Sequence, residues 1–135
     1  MNQLKGTITE IQSHEGLSLV KVKTINDIIF TSIVLDDSTT ADWLVIGKIV
    51  KLLFKETEVI ISKDVELNIS IQNKLSCIIQ SLNIGAILGQ VNLLFGEIMI
   101  HSIITANACR QLGLKENDHV LALIKTNEIS ITPDD

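Results

Sequence analysis

Hydrophobic and polar residues alternate along most of the chain, and short groups of turn residues interrupt the alternation at regular intervals. In the first half this pattern predicts five strands, which lie at 4–11, 17–23, 28–35, 49–54 and 57–62. A change of phase within 17–23 predicts a β-bulge there. The run Asp36-Asp37-Ser38-Thr39 has the side chains of a helix N-cap, so we expect a short helix that ends near Leu44.

The second half has the same order of elements. The pattern predicts strands at 75–82, 87–95, 98–105, 119–125 and 128–132. A short helix is expected at 107–112, and Gly113 is placed to end it. Each half therefore has three strands, a short helix and two further strands, an order typical of a small Greek-key barrel.

The two halves also correspond residue by residue. At an offset of about 71 residues Leu4 falls on Leu75, and with one residue fewer Lys55 falls on Lys125. Matching charged residues and element order indicate an internal duplication. We therefore predict an all-β fold with short helices, built as two tandem OB-like five-stranded Greek-key barrels. The expected module boundaries are 1–63 and 68–135.

Composition supports a well-packed β protein and argues against two classes of partner. Of the 135 residues 46% are hydrophobic, but only 3% are aromatic, and the net charge is −5. Single-strand nucleic-acid binding needs basic groups and stacking aromatics, so it is not expected. The charge-free stretch 75–96 contains polar residues and turn glycines, which favours two buried strands over a membrane helix. We expect a cytoplasmic protein.

The reactive side chains give no sign of catalysis. No nucleophile–base pair, phosphate-binding glycine loop or perturbed carboxylate pair is visible, so an enzyme is not expected. The three histidines have no partner at i+4, and no bare metal cation is predicted. Cys77 and Cys109 lie in apolar surroundings, which favours free buried thiols.

Four segments of the chain have the form of recurring motifs. They are Ser70-Ile71-Gln72-Asn73-Lys74-Leu75, Leu112-Gly113-Leu114-Lys115 and Ala122-Leu123-Ile124-Lys125, with Asn2-Gln3-Leu4-Lys5-Gly6 in the first half. They resemble motifs of the Mop, or TOBE, family of molybdate-binding domains, whose members open with Ser-Ala-Arg-Asn-x-Leu-x-Gly and later carry Leu-Gly-Leu-Lys and Ala-Leu-Ile-Lys. Two departures concern the binding site: Gln72 replaces the family arginine, and Ala108 replaces a serine near the expected helix.

The resemblance covers nearly the whole chain and implies the tandem layout of the di-domain molbindins. It implies storage or homeostasis of a small inorganic oxyanion, molybdate or tungstate, bound at subunit interfaces. The implied assembly is a homo-oligomer, a trimer of two-module chains, without nucleic-acid or membrane partners. The implied oxyanion-binding residues are Ser70, Asn73, Lys74, Lys125 and Thr126 in one module and Asn2, Lys5, Lys55 and Thr57 in the other, with Thr105 at a second type of site.

Each of these residues also has a structural interpretation. A lysine at a strand end commonly protects a sheet edge. Ser70 and Thr126 suit turns, Asn73 could fix a turn through its own backbone, and Thr105 suits a helix N-cap. The alternative function is therefore a ligand-free regulatory or oligomerisation module that keeps the fold without the oxyanion site.

Overall fold

The structure is a computed structural model that describes residues 1–134. Within these residues the fold consists of ten strands, one α-helix and three short 3-10 turns. The strands of the first half are β1 (Asn2–His14), β2 (Leu17–Lys23), β3 (Ile29–Val34), β4 (Ile49–Phe54) and β5 (Ile60–Ser62). Those of the second half are β6 (Asn73–Ile84), β7 (Leu88–Phe95), β8 (Ile98–Thr105), β9 (His119–Ile124) and β10 (Ser130–Pro133). The helix α1 (Ala106–Leu112) follows β8.

The strands form two antiparallel five-stranded sheets, one in each compact unit. Unit 1 has the order β10-β4-β1-β2-β3, and unit 2 has the order β5-β9-β6-β7-β8. In each sheet the two outermost strands approach one another, so the sheet curls towards closure. The predicted fold class, two OB-like five-stranded barrels with short helices, is confirmed.

The last strand of each sheet comes from the other half of the chain. Unit 1 comprises residues 1–54 and the residues from Lys125 onward, whereas unit 2 comprises residues 55–124. Strand β10 therefore pairs with β4, and β5 pairs with β9. The module boundaries 1–63 and 68–135 remain a prediction, and the compact units divide the chain differently.

Strands β1 and β6 are the central strands of their sheets, and alternate residues of each are buried. Leu4 and Ile8 face the core of unit 1, and Leu75 and Ile79 take the same places in unit 2. The bulge expected in 17–23 lies instead on the neighbouring strand, where the register of β1 shifts between Ile8 and Glu10. Pairing with β2 thus continues while β1 accommodates the extra residue. Strand β6 has a corresponding shift between Ile79 and Ser81.

The helix expected after Asp36 is absent, and the segment 36–44 forms turns. The backbone amide of Thr39 donates to the Asp37 carboxylate at 2.9 Å, and the Thr40 hydroxyl donates to Asp36 at 2.9 Å. Such local bonds between side chains and backbone compete with helix formation. The helix predicted in the second half is confirmed as α1, and Gly113 ends it in the left-handed conformation with a φ of 60°.

A buried serine joins the outer strands of each unit. Ser32 on β3 donates to the carbonyl of Ile129, just before β10, at 2.7 Å. Ser102 on β8 donates to the carbonyl of Val59, just before β5, at 2.8 Å. Both serines are fully buried, so each bond satisfies a carbonyl at the closing edge of the sheet.

The charge-free stretch 75–96 forms β6 and β7, as its polar residues and glycines predicted. Within residues 1–134, none of the helices combines the length and the apolar character needed to cross a membrane.

Candidate functional site

A buried asparagine begins the central strand of each unit. Asn2 opens β1 opposite Phe54, the last residue of β4. Asn73 opens β6 opposite Ile124, the last residue of β9. The two asparagines therefore occupy equivalent places, on the core-facing side of the strand.

The side chain of Asn73 is used by the protein itself. Its Nδ2 donates to the carbonyl oxygen of Ile124 at 3.0 Å in a buried environment. The C=O of Ile124 and the N–H of Lys125 belong to one peptide plane and point in opposite directions. The Asn73 amide therefore fixes the orientation of the peptide that leads into Lys125.

Lys55 and Lys125 leave their strands in almost the same conformation. Each follows the last residue of a strand and precedes a 3-10 turn, at 56–58 and 126–128, and their φ/ψ values are −73°/148° and −67°/149°. Their side chains are exposed, and neither ammonium group forms an ion pair within residues 1–134. Both cations are thus available to an anion from outside.

Lys5 and Lys74 already have partners within their units. The Nζ of Lys5 lies 2.8 Å from the Asp134 carboxylate. The Nζ of Lys74 donates to the carbonyl of Leu67 at 3.2 Å. An oxyanion that binds Lys5 or Lys74 would have to compete with these partners. At Lys55 and Lys125 it would meet no such competition.

The hydroxyl candidates differ in exposure. Ser70 and Thr57 are exposed, and Thr126 is half-buried in its 3-10 turn.

The expected site residues fall into two groups by compact unit. Unit 1 contains Asn2, Lys5, Lys125 and Thr126, and unit 2 contains Lys55, Thr57, Ser70, Asn73, Lys74 and Thr105.

Thr105 is the N-cap of α1. Its Oγ1 accepts a hydrogen bond from the amide of Ala108 at 3.0 Å, which satisfies one of the free amides of the first turn. The structural interpretation of this residue therefore accounts for its oxygen.

The cysteines and histidines form no centre of their own. Burial raises the pKa of the Cys77 thiol to about 12 and also raises that of Cys109, so both stay protonated near neutral pH. His101 Nδ1 lies 2.7 Å from Asn92 Oδ1 on the neighbouring strand. Among residues 1–134 no group of three or more potential ligands could hold a metal ion.

Two charged residues lie next to Lys5 without any signal in the sequence that predicts it. Lys51 stands directly opposite Lys5 in the pairing of β1 with β4, and Asp134 lies within ion-pair distance of both lysines. Only the register of the sheet brings these three residues together, since they are far apart in sequence.

A solved structure of a molybdate-binding protein shares this fold over nearly the whole chain. The cytoplasmic molybdate-binding protein ModG, solved in a crystal form with molybdate bound, aligns with a TM-score of 0.90 and 25% identity. The alignment covers 98% of this chain and 95% of that one. A molybdate-binding protein from Sporomusa ovata aligns with 49% of this chain and 98% of its own, at 24% identity and a TM-score of 0.48. No protein-family model and no curated protein sequence matches the chain.

Proposed function

We propose that this protein binds molybdate, or the closely similar tungstate, as a reversible oxyanion store in the cytoplasm. The observation that carries the proposal is the match to molybdate-bound ModG over nearly the full length of both chains. Capture and release of the anion require no covalent step, and we assign no catalytic role to any residue.

The chemistry of the strand ends suits a tetrahedral dianion. Its oxygens only accept hydrogen bonds near neutral pH, so a site needs N–H, O–H and ammonium donors. The exposed, unpaired ammonium groups of Lys55 and Lys125 supply charge-assisted bonds, which are about twice as strong as neutral ones. The neighbouring hydroxyls of Thr57 and Thr126 add neutral donors.

The remaining residues proposed for the sites are Asn2, Lys5, Ser70, Asn73, Lys74 and Thr105. Because Asn73 is buried and bonded to Ile124, we propose that it orients the peptide before Lys125 and contacts the anion at most through that peptide. Gln72 at the family's arginine position leaves the lysines as the main source of positive charge. The net charge of −5 slows the approach of a dianion, but short-range donors decide affinity once the anion is bound.

We place the sites where subunits meet in a homo-oligomer, a trimer of two-module chains. Support comes from large aliphatic side chains that each unit leaves in solvent: Leu35 is 84% exposed, Ile87 77% and Ile46 68%. Association of subunits would remove such aliphatic groups from water, which favours an oligomer. Light scattering should therefore report three times the mass of 14.9 kDa, and a stable monomer would remove the interface sites.

Calorimetric titration with molybdate, tungstate and sulfate tests the function. The unmodified protein should release heat on binding molybdate at micromolar affinity or better. Lys125→Ala should weaken binding by at least about tenfold, since a hydrogen bond to a charged group contributes about 1.5–3 kcal/mol. The control is Lys23→Ala, which removes an exposed lysine paired only with Asp27, and it should leave the titration unchanged.

Two results would contradict the proposal. Absence of heat and of any thermal shift with both molybdate and tungstate would indicate a ligand-free regulatory or oligomerisation module. Unaltered binding in Lys125→Ala would place the site elsewhere in the molecule.

A further inference from the structure

Two lysines of unit 1 stand directly opposite one another on adjacent strands. Lys5 of β1 pairs with Lys51 of β4 in the antiparallel register, so their side chains emerge on the same face of the sheet. Like charges at directly opposed positions repel each other and destabilise the pair. A negative group between them is therefore needed to offset the repulsion.

Asp134 supplies that negative group. Its carboxylate lies 2.8 Å from the Nζ of Lys5 and 3.4 Å from the Nζ of Lys51. The aspartate side chain is 17% exposed, whereas the lysine side chains are 68% and 43% exposed. The Asp134 amide donates to the Ile49 carbonyl at 3.2 Å, which holds the residue beside the edge of β4.

Unit 2 lacks this arrangement. The positions that correspond to the lysine pair hold Ser76 and Leu121, which also face each other across β6 and β9. Asp64, which corresponds to Asp134, caps a local turn by accepting from the amide of Glu66 at 3.1 Å. The strands of the two units therefore correspond, but only unit 1 has two lysines and a carboxylate at these positions.

The chemistry of this cluster matches an oxyanion better than it matches one carboxylate. Two ammonium groups carry twice the charge of the single aspartate, and a tetrahedral dianion would balance both. Like a carboxylate, molybdate, sulfate and phosphate accept charge-assisted hydrogen bonds from ammonium groups. Asp134 is attached to the fold, so it competes with any free anion at a fixed local concentration.

We propose that Lys5 and Lys51 form an oxyanion site in unit 1 whose resting occupant is the Asp134 carboxylate. An incoming tetrahedral anion displaces the aspartate and bridges the two ammonium groups. Asp134 thus sets the anion concentration at which this site fills. The choice of molybdate as the first probe rests on the proposed function, but the lysine pair and its aspartate do not depend on it.

Titrating matched variants of the full chain with sodium molybdate, sulfate and phosphate tests the site. Asp134→Asn should gain affinity of about threefold to tenfold, or one additional site, because exposed ion pairs contribute about 0.2–1 kcal/mol each. The control is Glu10→Gln, which removes a different carboxylate, one on β1 that pairs with Lys21 at 3.2 Å. It changes the net charge equally and should gain nothing.

A second substitution locates the gain. Adding Lys51→Gln to Asp134→Asn should return binding to the level of the unmodified protein. A gain for all three anions assigns a general oxyanion site, and a gain for molybdate alone assigns a selective one. Equal binding in Asp134→Asn and the unmodified protein would overturn the site, whatever the unmodified protein binds. The titration of the unmodified protein alone decides the proposed function.

The displacement can also be observed without any substitution. In protein labelled with ¹³C at aspartate, saturating molybdate or sulfate should shift the carboxyl resonance of Asp134 and leave that of Asp64 in place. This measurement remains decisive if Asp134→Asn fails to fold. An Asp134 resonance that does not move at saturation would overturn the proposal.

Discussion

At the scale of single residues, the ionisation of the Asp134 carboxyl affects the stability of unit 1. The hydrogen bond from Lys5 holds the pKa of the Asp134 carboxyl below its ordinary value of 3.8, and the charges of Lys5 and Lys51 act in the same direction, against partial burial. A carboxyl whose pKa is lower in the folded state stabilises the fold above its unfolded pKa. That contribution is lost as the pH falls through the folded pKa.

We therefore expect Asp134→Asn to make the thermal stability less sensitive to acid. Between about pH 5 and about pH 2.5 the melting temperature of the unmodified protein should fall further than that of the variant, because only the unmodified protein loses this ion pair. Melts followed by circular dichroism across this range would show it. Parallel curves for the two proteins would mean that the Asp134 pair adds nothing to stability.

The asparagines show how far residue patterns could predict the site. Asn73 shares the phase of Leu75 and Cys77, both buried, so the alternation already indicated a core-facing side chain. The resemblance to a binding family implies a ligand role, which stays a prediction, and in the structure the Nδ2 of Asn73 donates to the carbonyl of Ile124. For Lys51 and Asp134 no comparable signal existed, because strand register is a property of the folded sheet.

At the scale of elements, β7 and α1 meet where only glycine fits. A Cβ at Gly89 would lie 2.5 Å from the Sγ of Cys109, which is buried between the helix and the sheet. The position that pairs in the same way in unit 1 holds Ser18, where no such helix packs. A glycine is thus needed at position 89 because α1 packs there, and the first half has no corresponding α-helix.

Gly89→Ala should lower the free energy of unfolding by about 1–3 kcal/mol, because overpacking a close contact forces neighbouring atoms to move. Removing the sulfur should relieve the clash, so Gly89→Ala combined with Cys109→Ala should be more stable than the sum of the two single effects predicts. Chemical denaturation of all four proteins gives the coupling. Additive effects would show that the two residues do not compete for space.

Local sequence predicted the α-helix at 107–112 and failed at 36–44 for a physical reason. The helix α1 has Thr105 as its N-cap and Gly113 as its C-cap, and it buries Ala106 and Cys109. In the earlier segment Asp36 and Asp37 bind nearby threonines, so the same residue types that cap helices stabilise turns instead. The pattern of capping residues does not distinguish these outcomes.

At the scale of the whole molecule, the exchange of the last strands was not predictable. Ile61 and Ile131 occupy equivalent positions in the short segments 60–62 and 130–132, and neither sequence indicates which sheet its segment joins. The hydrophobic pattern determines that a fifth strand exists and which face it buries. It contains no information about which of two similar sheets the strand joins, because that choice depends on the path of the connecting chain.

The exchange predicts how the chain behaves when it is divided. A fragment of residues 1–67 retains β1–β4 but lacks β10, so β4 loses its outer partner and Ser32 loses its acceptor at Ile129. A fragment of residues 68–135 likewise lacks β5, and β9 is left as an exposed edge. Neither fragment alone should give the dispersed NMR spectrum and cooperative unfolding of the intact chain. An equimolar mixture should recover both, since each fragment carries the strand that the other needs.

Replacing one buried strand residue provides the control for this recovery. Ile61 of β5 is 8% exposed and pairs with Ala122 of β9, so a fragment 1–67 with Ile61→Asp should fail to complete unit 2. Resonances of unit 2 should then remain those of the free fragment after mixing. A fragment 1–67 that folds alone as a monomer would contradict the prediction, because its own β5 would have to close its own sheet. Stable assembly of the intact protein would in that case be possible without exchange, and the duplicated halves would be independent barrels.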